Sequence, residues 1–162
     1  MKILMLLLVS SIAFSVNAEE DEAMVVSVKR LTMESALKIA QGSIKACREK
    51  GIQVGVTVVD RSGNSQVVLR DVLAPDITLS VSYKKAYTAV SFSAATSALK
   101  RQAKSSLAHV ENMFFGGGGL LIQAGGQILG GVGVSGAPSG ETDEECAKKG
   151  IKAVIDDLEM SL

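Results

Sequence analysis

Tryptophan is absent from the 162 residues and histidine occurs once, as His109. A single imidazole excludes a two-His or three-His metal site within one chain. Aromatic residues make up 4% of the sequence, so the core has to be built from Val, Ile, Leu and Ala. Two prolines and two cysteines are too few for a collagen-like chain or a disulfide scaffold, and 47% hydrophobic with 21% charged residues is a globular balance. Charge of one sign is missing too: 17 Lys+Arg meet 17 Asp+Glu. A protein that lives by phosphate contacts shows a basic excess or stripe, so nucleic acid is not the expected partner. The length suits one domain with a short appendage.

The longest apolar run stands at the start. Lys2 is followed by Ile3-Leu4-Met5-Leu6-Leu7-Leu8-Val9 and, after two serines, by Ile12-Ala13-Phe14. Val16-Asn17-Ala18 then places modest side chains before a cut after Ala18, the layout of a secretory signal peptide. The run is too short and too serine-interrupted for a spanning helix. No cysteine sits at the cut to take a lipid, so no stable membrane anchor is expected. Residues 1–18 are therefore assigned to a signal peptide, 19–30 to a short N-terminal segment and 31–162 to a single domain, periplasmic or secreted. In an oxidising compartment Cys47 and Cys146 could pair. Each also falls on the apolar side of a predicted helix, where a free cysteine acts as a small buried hydrophobe, and that is the expectation here.

Met24-Val25-Val26-Ser27-Val28 is β-prone. Thr32 caps a helix whose apolar positions Ala36, Leu37, Ala40, Ile44 and Cys47 recur at helical spacing up to Gly51. Ile52 to Val59 and Ser65 to Arg70 read as strands around the turn Asp60-Arg61-Ser62-Gly63-Asn64, an antiparallel hairpin. Thr78–Val90 and Thr96–Leu107 are predicted helices, the second capped by Thr96. Leu120-Leu121-Ile122 and Gln127-Ile128-Leu129, running on through Val132 and Val134, form a second hairpin around Ala124-Gly125-Gly126. Thr142-Asp143-Glu144-Glu145 matches a capping box before the last helix. Two hairpins among helices argue an α+β fold, a central antiparallel sheet of about five strands flanked by helices.

Gly131-Val132-Gly133-Val134-Ser135-Gly136 spells the dinucleotide fingerprint, which needs a helix starting inside it. Here it lies in strand alternation, with Pro138 and Gly140 intervening before any helix. Its glycines then signal close backbone approach. Ser82-Tyr83-Lys84-Lys85 spells S-x-x-K without the S-D-N and K-T-G partners of penicillin-recognising enzymes, leaving a lysine-bearing helix with a solvated face. His109 precedes Met113-Phe114-Phe115 and the glycine run from Gly116 and Gly117, an apolar, backbone-open stretch where a flat ligand can lie. Tyr83 and Tyr87 share one helix face. Glu141, Asp143, Glu144 and Glu145 fit the positive end of their helix.

These pieces together resemble the GlcG/HbpS-like haem-binding (haem-degrading domain) family. The resemblance is carried by Leu31-Thr32, Val58-Val59-Asp60-Arg61-Ser62-Gly63, Leu69-Arg70-Asp71 and Ser82-Tyr83-Lys84-Lys85-Ala86-Tyr87-Thr88-Ala89. Further on it rests on Gly116-Gly117-Gly118, Ile128 to Gly136, and Asp143-Glu144-Glu145-Cys146-Ala147. The chain departs from the pattern in having Gly119-Leu120 where a proline commonly follows the glycine run, and no histidine in the first helix. The resemblance implies a profilin-like/HbpS-like architecture, homo-oligomeric assembly, and a haem or related tetrapyrrole ligand. On that footing His109 is the candidate haem-iron ligand, with Met113, Phe114, Gly116, Gly117, Tyr83 and Tyr87 as candidate cofactor contacts. The competing expectation is a small accessory enzyme, lyase- or hydrolase-like, acting on a small oxygenated metabolite such as a 2-hydroxy acid. Its catalytic candidates are Lys85, Arg70 and Asp71, although no complete acid–base constellation is readable. A ligand-free structural module is the third.

Overall fold

The computed structural model describes residues 24–162, so the signal-peptide assignment and the acidic stretch after it lie outside the described residues. The first helix, α1 (Met33–Arg48), starts where its cap predicts: the Thr32 hydroxyl accepts the Ser35 N–H at 3.2 Å. Its buried side carries Ala36, Ile39, Ala40, Ile44 and Cys47 at three- and four-residue spacing, while Lys45 and Arg48 sit in the last turn, where the helix dipole favours cations. The β-prone Met24–Val28 run joins no strand and lies exposed.

Strands β1 (Gly55–Asp60) and β2 (Ser65–Arg70) form the first hairpin, and β3 (Gly119–Ala124) and β4 (Gln127–Ser135) the second. Gly125 and Gly126 both take positive φ, 54° and 74°, as a two-residue hairpin turn with the right twist requires. The hairpins join through β1 and β4, so the sheet has four strands in the order β2-β1-β4-β3, all antiparallel. The expected central antiparallel sheet is thus present with four strands, and the Met24–Val28 run joins none of them.

The two faces of the sheet differ in chemistry. Val56, Val58, Val132 and Val134 point to the face covered by α1 and α3 (Gly140–Lys152), where the main core forms. The alternate positions Gly55, Gly131 and Gly133 meet α2 (Ile77–Phe92). A Cβ on Gly133 would collide with the Ser82 carbonyl oxygen, and one on Gly55 would lie 2.6 Å from Thr78 Oγ1. The dinucleotide-like string is therefore a strand that lets a helix backbone rest on a sheet backbone, and the next helix starts only at Gly140.

Four expectations are corrected. The predicted helix over Thr96–Leu107 is instead three short 3-10 turns, Thr96–Ala98, Gln102–Lys104 and Ser106–His109. The last two bury no side chain, so nothing holds a longer amphipathic helix there, and the Thr96 hydroxyl accepts the Gly119 N–H at 2.9 Å rather than capping. The final helix is capped three residues before the predicted Thr142, by the Ser139 hydroxyl accepting the Thr142 N–H, and it breaks after Lys152 before α4 (Ile155–Met160). The cysteines are not unpaired hydrophobes: Cys47 and Cys146 form a disulfide with Cα atoms 5.5 Å apart. α1 and α3 come that close because glycine faces glycine, a Cβ on Gly42 falling 3.1 Å from the Gly150 Cα. Finally, Lys85 does not face solvent.

Candidate functional site

Lys85 lies on the inner side of α2 with 4% of its surface exposed. Its ammonium donates to Asp143 Oδ2 at 2.7 Å and to the Val134 carbonyl at 2.9 Å, tying α2 to β4 and to the first turn of α3. The other carboxylate oxygen of Asp143 accepts the Ala137 N–H at 3.0 Å. Burial pushes the Asp143 carboxyl above its ordinary value, against the opposite pull of Lys85 and the Ala137 amide. Gly118, at φ 113°, passes over this pair so closely that a Cβ there would lie 2.7 Å from Asp143 Cβ and 2.9 Å from Lys85 Nζ.

The ion pair borders a cavity of about 420 Å³ between the start of α2, the Phe114–Gly117 segment and the Gly136–Gly140 loop. Ile77, Val81 and Phe114 give it apolar walls, and Ser135 and Asp143 polar ones. The Phe114 ring centroid is 5.8 Å from the Lys85 ammonium, a cation–π distance.

Of the sequence candidates, Lys85, Phe114, Gly116 and Gly117 meet at this cavity. Met113 and Phe114 are fastened beside it by Thr88, whose hydroxyl accepts the Phe114 N–H at 2.9 Å and faces the Met113 sulfur at 3.6 Å. Tyr83 and Tyr87 do share a face, with ring centroids 5.9 Å apart, but Tyr87 packs on Gly63 at the β1–β2 turn. His109 ends the last 3-10 turn, exposed, beside the exposed apolar Leu107 and Val110.

The catalytic trio does not assemble. Asp71 is buried and accepts from the Arg48 guanidinium, Arg70 donates to the Ala74 carbonyl, and neither shares a hydrogen bond or ion pair with Lys85. The acidic run of α3 divides its labour: Glu144 pairs with Lys148, Glu145 with Lys50, and Asp143 turns inward to Lys85. Sequence reasoning placed Asp143 at a helix start and missed its partner, although K-A-Y-T-A and D-E-E-C-A were both marked as resemblance-bearing segments. Ser135 and Arg48 were missed outright. Among the described residues no cluster of three His, Cys, Asp or Glu side chains could hold a metal ion, and no helix is long and apolar enough to cross a membrane.

A four-stranded antiparallel sheet between one helix and a disulfide-linked helix layer, with a glycine-rimmed cavity over a buried Lys–Asp pair, makes a small α+β binding-type domain. Residues 31–152 match the family model described as "Haem degrading protein HbpS-like", and the chain belongs to that family. Among solved structures, a double mutant of Streptomyces reticuli HbpS is 36% identical with a TM-score of 0.76, over 80% of this chain and 90% of that one. The Klebsiella pneumoniae protein ORFY is 26% identical with a TM-score of 0.77, over 82% and 95%. PduOC, solved as a haem complex, is 27% identical with a TM-score of 0.72, over 76% and 94%. No curated protein matches the chain.

Proposed function

We propose that the protein is an exported binder of haem or a related tetrapyrrole, with His109 as the iron ligand. Membership of a haem-linked family supports the ligand class, and the solved haem complex of a 27% identical relative points the same way. The inventory of axial ligands supports the residue. Haem iron is held by His, Cys thiolate, Met or Tyr. Here both cysteines are spent in the disulfide, Met113 packs against Thr88, and the two tyrosines pack on each other. The exposed Met24, Met33 and Met160 belong to other segments, outside the apolar stretch around His109. The imidazole of His109 is exposed and carries no hydrogen bond among the described residues, so it is free to ligate.

The surroundings fit the group. Leu107, Val110 and Phe114 expose apolar surface in the same segment, matching a flat macrocycle, while Lys100, Arg101 and Lys104 offer exposed cations to its acid groups. Haem would supply the iron centre, and the chain would hold it by the His109 imidazole and this apolar bed. Because that bed is open on the surface, a second copy of the chain is the natural cover, and homo-oligomeric assembly is part of the proposal. The disulfide supports the export component, since such bridges persist in oxidising compartments.

An absorption titration with haemin, with light scattering on the same samples, tests this function. The wild type is expected to shift the haem spectrum and to run larger than one chain. His109→Ala is expected to weaken binding about tenfold or more, about 1.4 kcal/mol per factor of ten. An unchanged spectrum and affinity in His109→Ala refutes the ligand assignment, and no spectral shift with wild type refutes the tetrapyrrole.

A further inference from the structure

We propose that the cavity beside Lys85 and Asp143 is a carboxylate site, built for an acid group on a short apolar stem. Two polar groups are left over there. An ammonium has three N–H donors, and Lys85 spends two, on Asp143 and the Val134 carbonyl. The third has no acceptor among the described residues, and the residue lines the cavity. Ser135 is the second. It is 8% exposed, lines the same cavity, and its hydroxyl makes no hydrogen bond among the described residues. On β4 it continues the alternation of Gly131 and Gly133, which carries its side chain to the α2 face of the sheet. Its neighbour Thr78 is not free in this way, because that hydroxyl donates to the Pro75 carbonyl at 2.7 Å.

Two unspent donors converging on one cavity ask for an acceptor with two lone-pair-rich atoms, which a carboxylate provides. Asp143 is bonded to neither of these two donors: one of its oxygens takes the Ala137 N–H and the other a different proton of Lys85. Among the described residues it is the only carboxylate lining the cavity, and the positive end of α3 opens on the same space. The rest of the ligand meets Ile77, Val81 and Phe114, so its body is apolar. A sugar or nucleotide would bring more polar atoms than these walls can satisfy. An aliphatic carboxylate reaches this site from either of two sources, a free small organic acid or the propionate arm of a tetrapyrrole. Phe114 lines the cavity and is itself 38% exposed, in the chain segment that follows the His109 turn.

Methyl NMR on the purified protein, with propionate and 3-methylbutanoate as probes and the matching neutral amides as controls, tests the site. The acids are expected to shift the Ile77 and Val81 methyl signals and the amides to leave them in place. Ser135→Ala, which removes one donor without touching the ion pair, is expected to weaken the acid about tenfold at unchanged melting temperature. A second arm compares haemin with its dimethyl ester. If Ser135→Ala weakens haemin and spares the ester, the bound group is the propionate arm; if the free acids saturate and haemin ignores Ser135, it is a separate organic acid. Either result supports the site. Equal shifts with acid and amide, or no dependence on Ser135 for acids and haemin alike, overturns it. His109→Ala separates this outcome from the haem proposal, because a free acid is expected to bind that variant as it binds wild type.

Discussion

Asp60 closes the β1–β2 turn from within, at 6% exposure. One carboxylate oxygen accepts the N–H groups of Ser62 and Asn64 at 2.8 and 2.9 Å, and the other takes Arg30 at 3.0 Å. Burial alone would raise this carboxyl, but the hydrogen bonds from Asn64 and Ser62 and the Arg30 charge leave it below its ordinary value. The sign follows from linkage. A group whose folded pKa lies below its unfolded one gives stability that is present above the unfolded value and lost as pH falls through the folded one. Asp60→Asn is therefore expected to cost about 1.5–3 kcal/mol near neutral pH, the range of a hydrogen bond to a charged group. The difference from wild type is expected to vanish in acid below the carboxylate range. Urea unfolding of both proteins across that range measures it, and a difference independent of pH refutes the charge account. The turn was legible because Asp, Ser, Gly and Asn crowd five positions. The bond between Lys85 and Asp143 was not, since it spans 58 residues and S-x-x-K looks the same on a wet helix as on a dry one.

The same contrast between local and distant causes runs through the elements. α1 could be read from Thr32 and its apolar stripe because cap and periodicity are properties of one segment. The 3-10 stretch could not, because what denies it a helix is the absence of a surface to pack on, a fact of the assembled fold. α2 lies between these cases. Its polar face is weak in sequence, and it is held by the bare backbone of β1 and β4 rather than by an apolar stripe. Thr57 and Ser82 meet in that seam, their hydroxyls 2.8 Å apart and buried. Gly133→Ala is therefore expected to do more damage than Val132→Ala one residue away, although the latter empties part of the main core. The added methyl collides with the Ser82 carbonyl, which α2 can relieve only by lifting, for about 3 kcal/mol or more. Val132→Ala removes two methyl groups' worth of burial, about 2 kcal/mol. Denaturant midpoints of the two variants rank them, and a milder Gly133→Ala refutes the backbone-on-backbone seam.

Across the whole molecule, one covalent bond closes the layer opposite α2. Cys47 lies near the end of α1 and Cys146 in the middle of α3, 99 residues apart in sequence, so their bridge ties the first element of the domain to its last long helix. All four strands lie between the two cysteines in sequence, so the closed loop contains the whole sheet. A bridge closing a loop of this length removes chain entropy from the unfolded state worth about 4–5 kcal/mol, a large share of the roughly 5–15 kcal/mol that holds a domain of this size together. Such reliance makes sense only where thiols stay oxidised, which links the bridge to the signal-like start of the sequence. Under the proposed export, the mature protein is expected to have an intact mass lacking residues 1–18 and the two thiol hydrogens. Its denaturant midpoint is expected to fall sharply on reduction and in the Cys47→Ala/Cys146→Ala variant alike. A mass retaining Met1 to Ala18 refutes export by cleavage at Ala18. Reduced and oxidised proteins of equal stability refute the staple, and the two α1–α3 glycines, Gly42 and Gly150, would then hold that layer by packing alone.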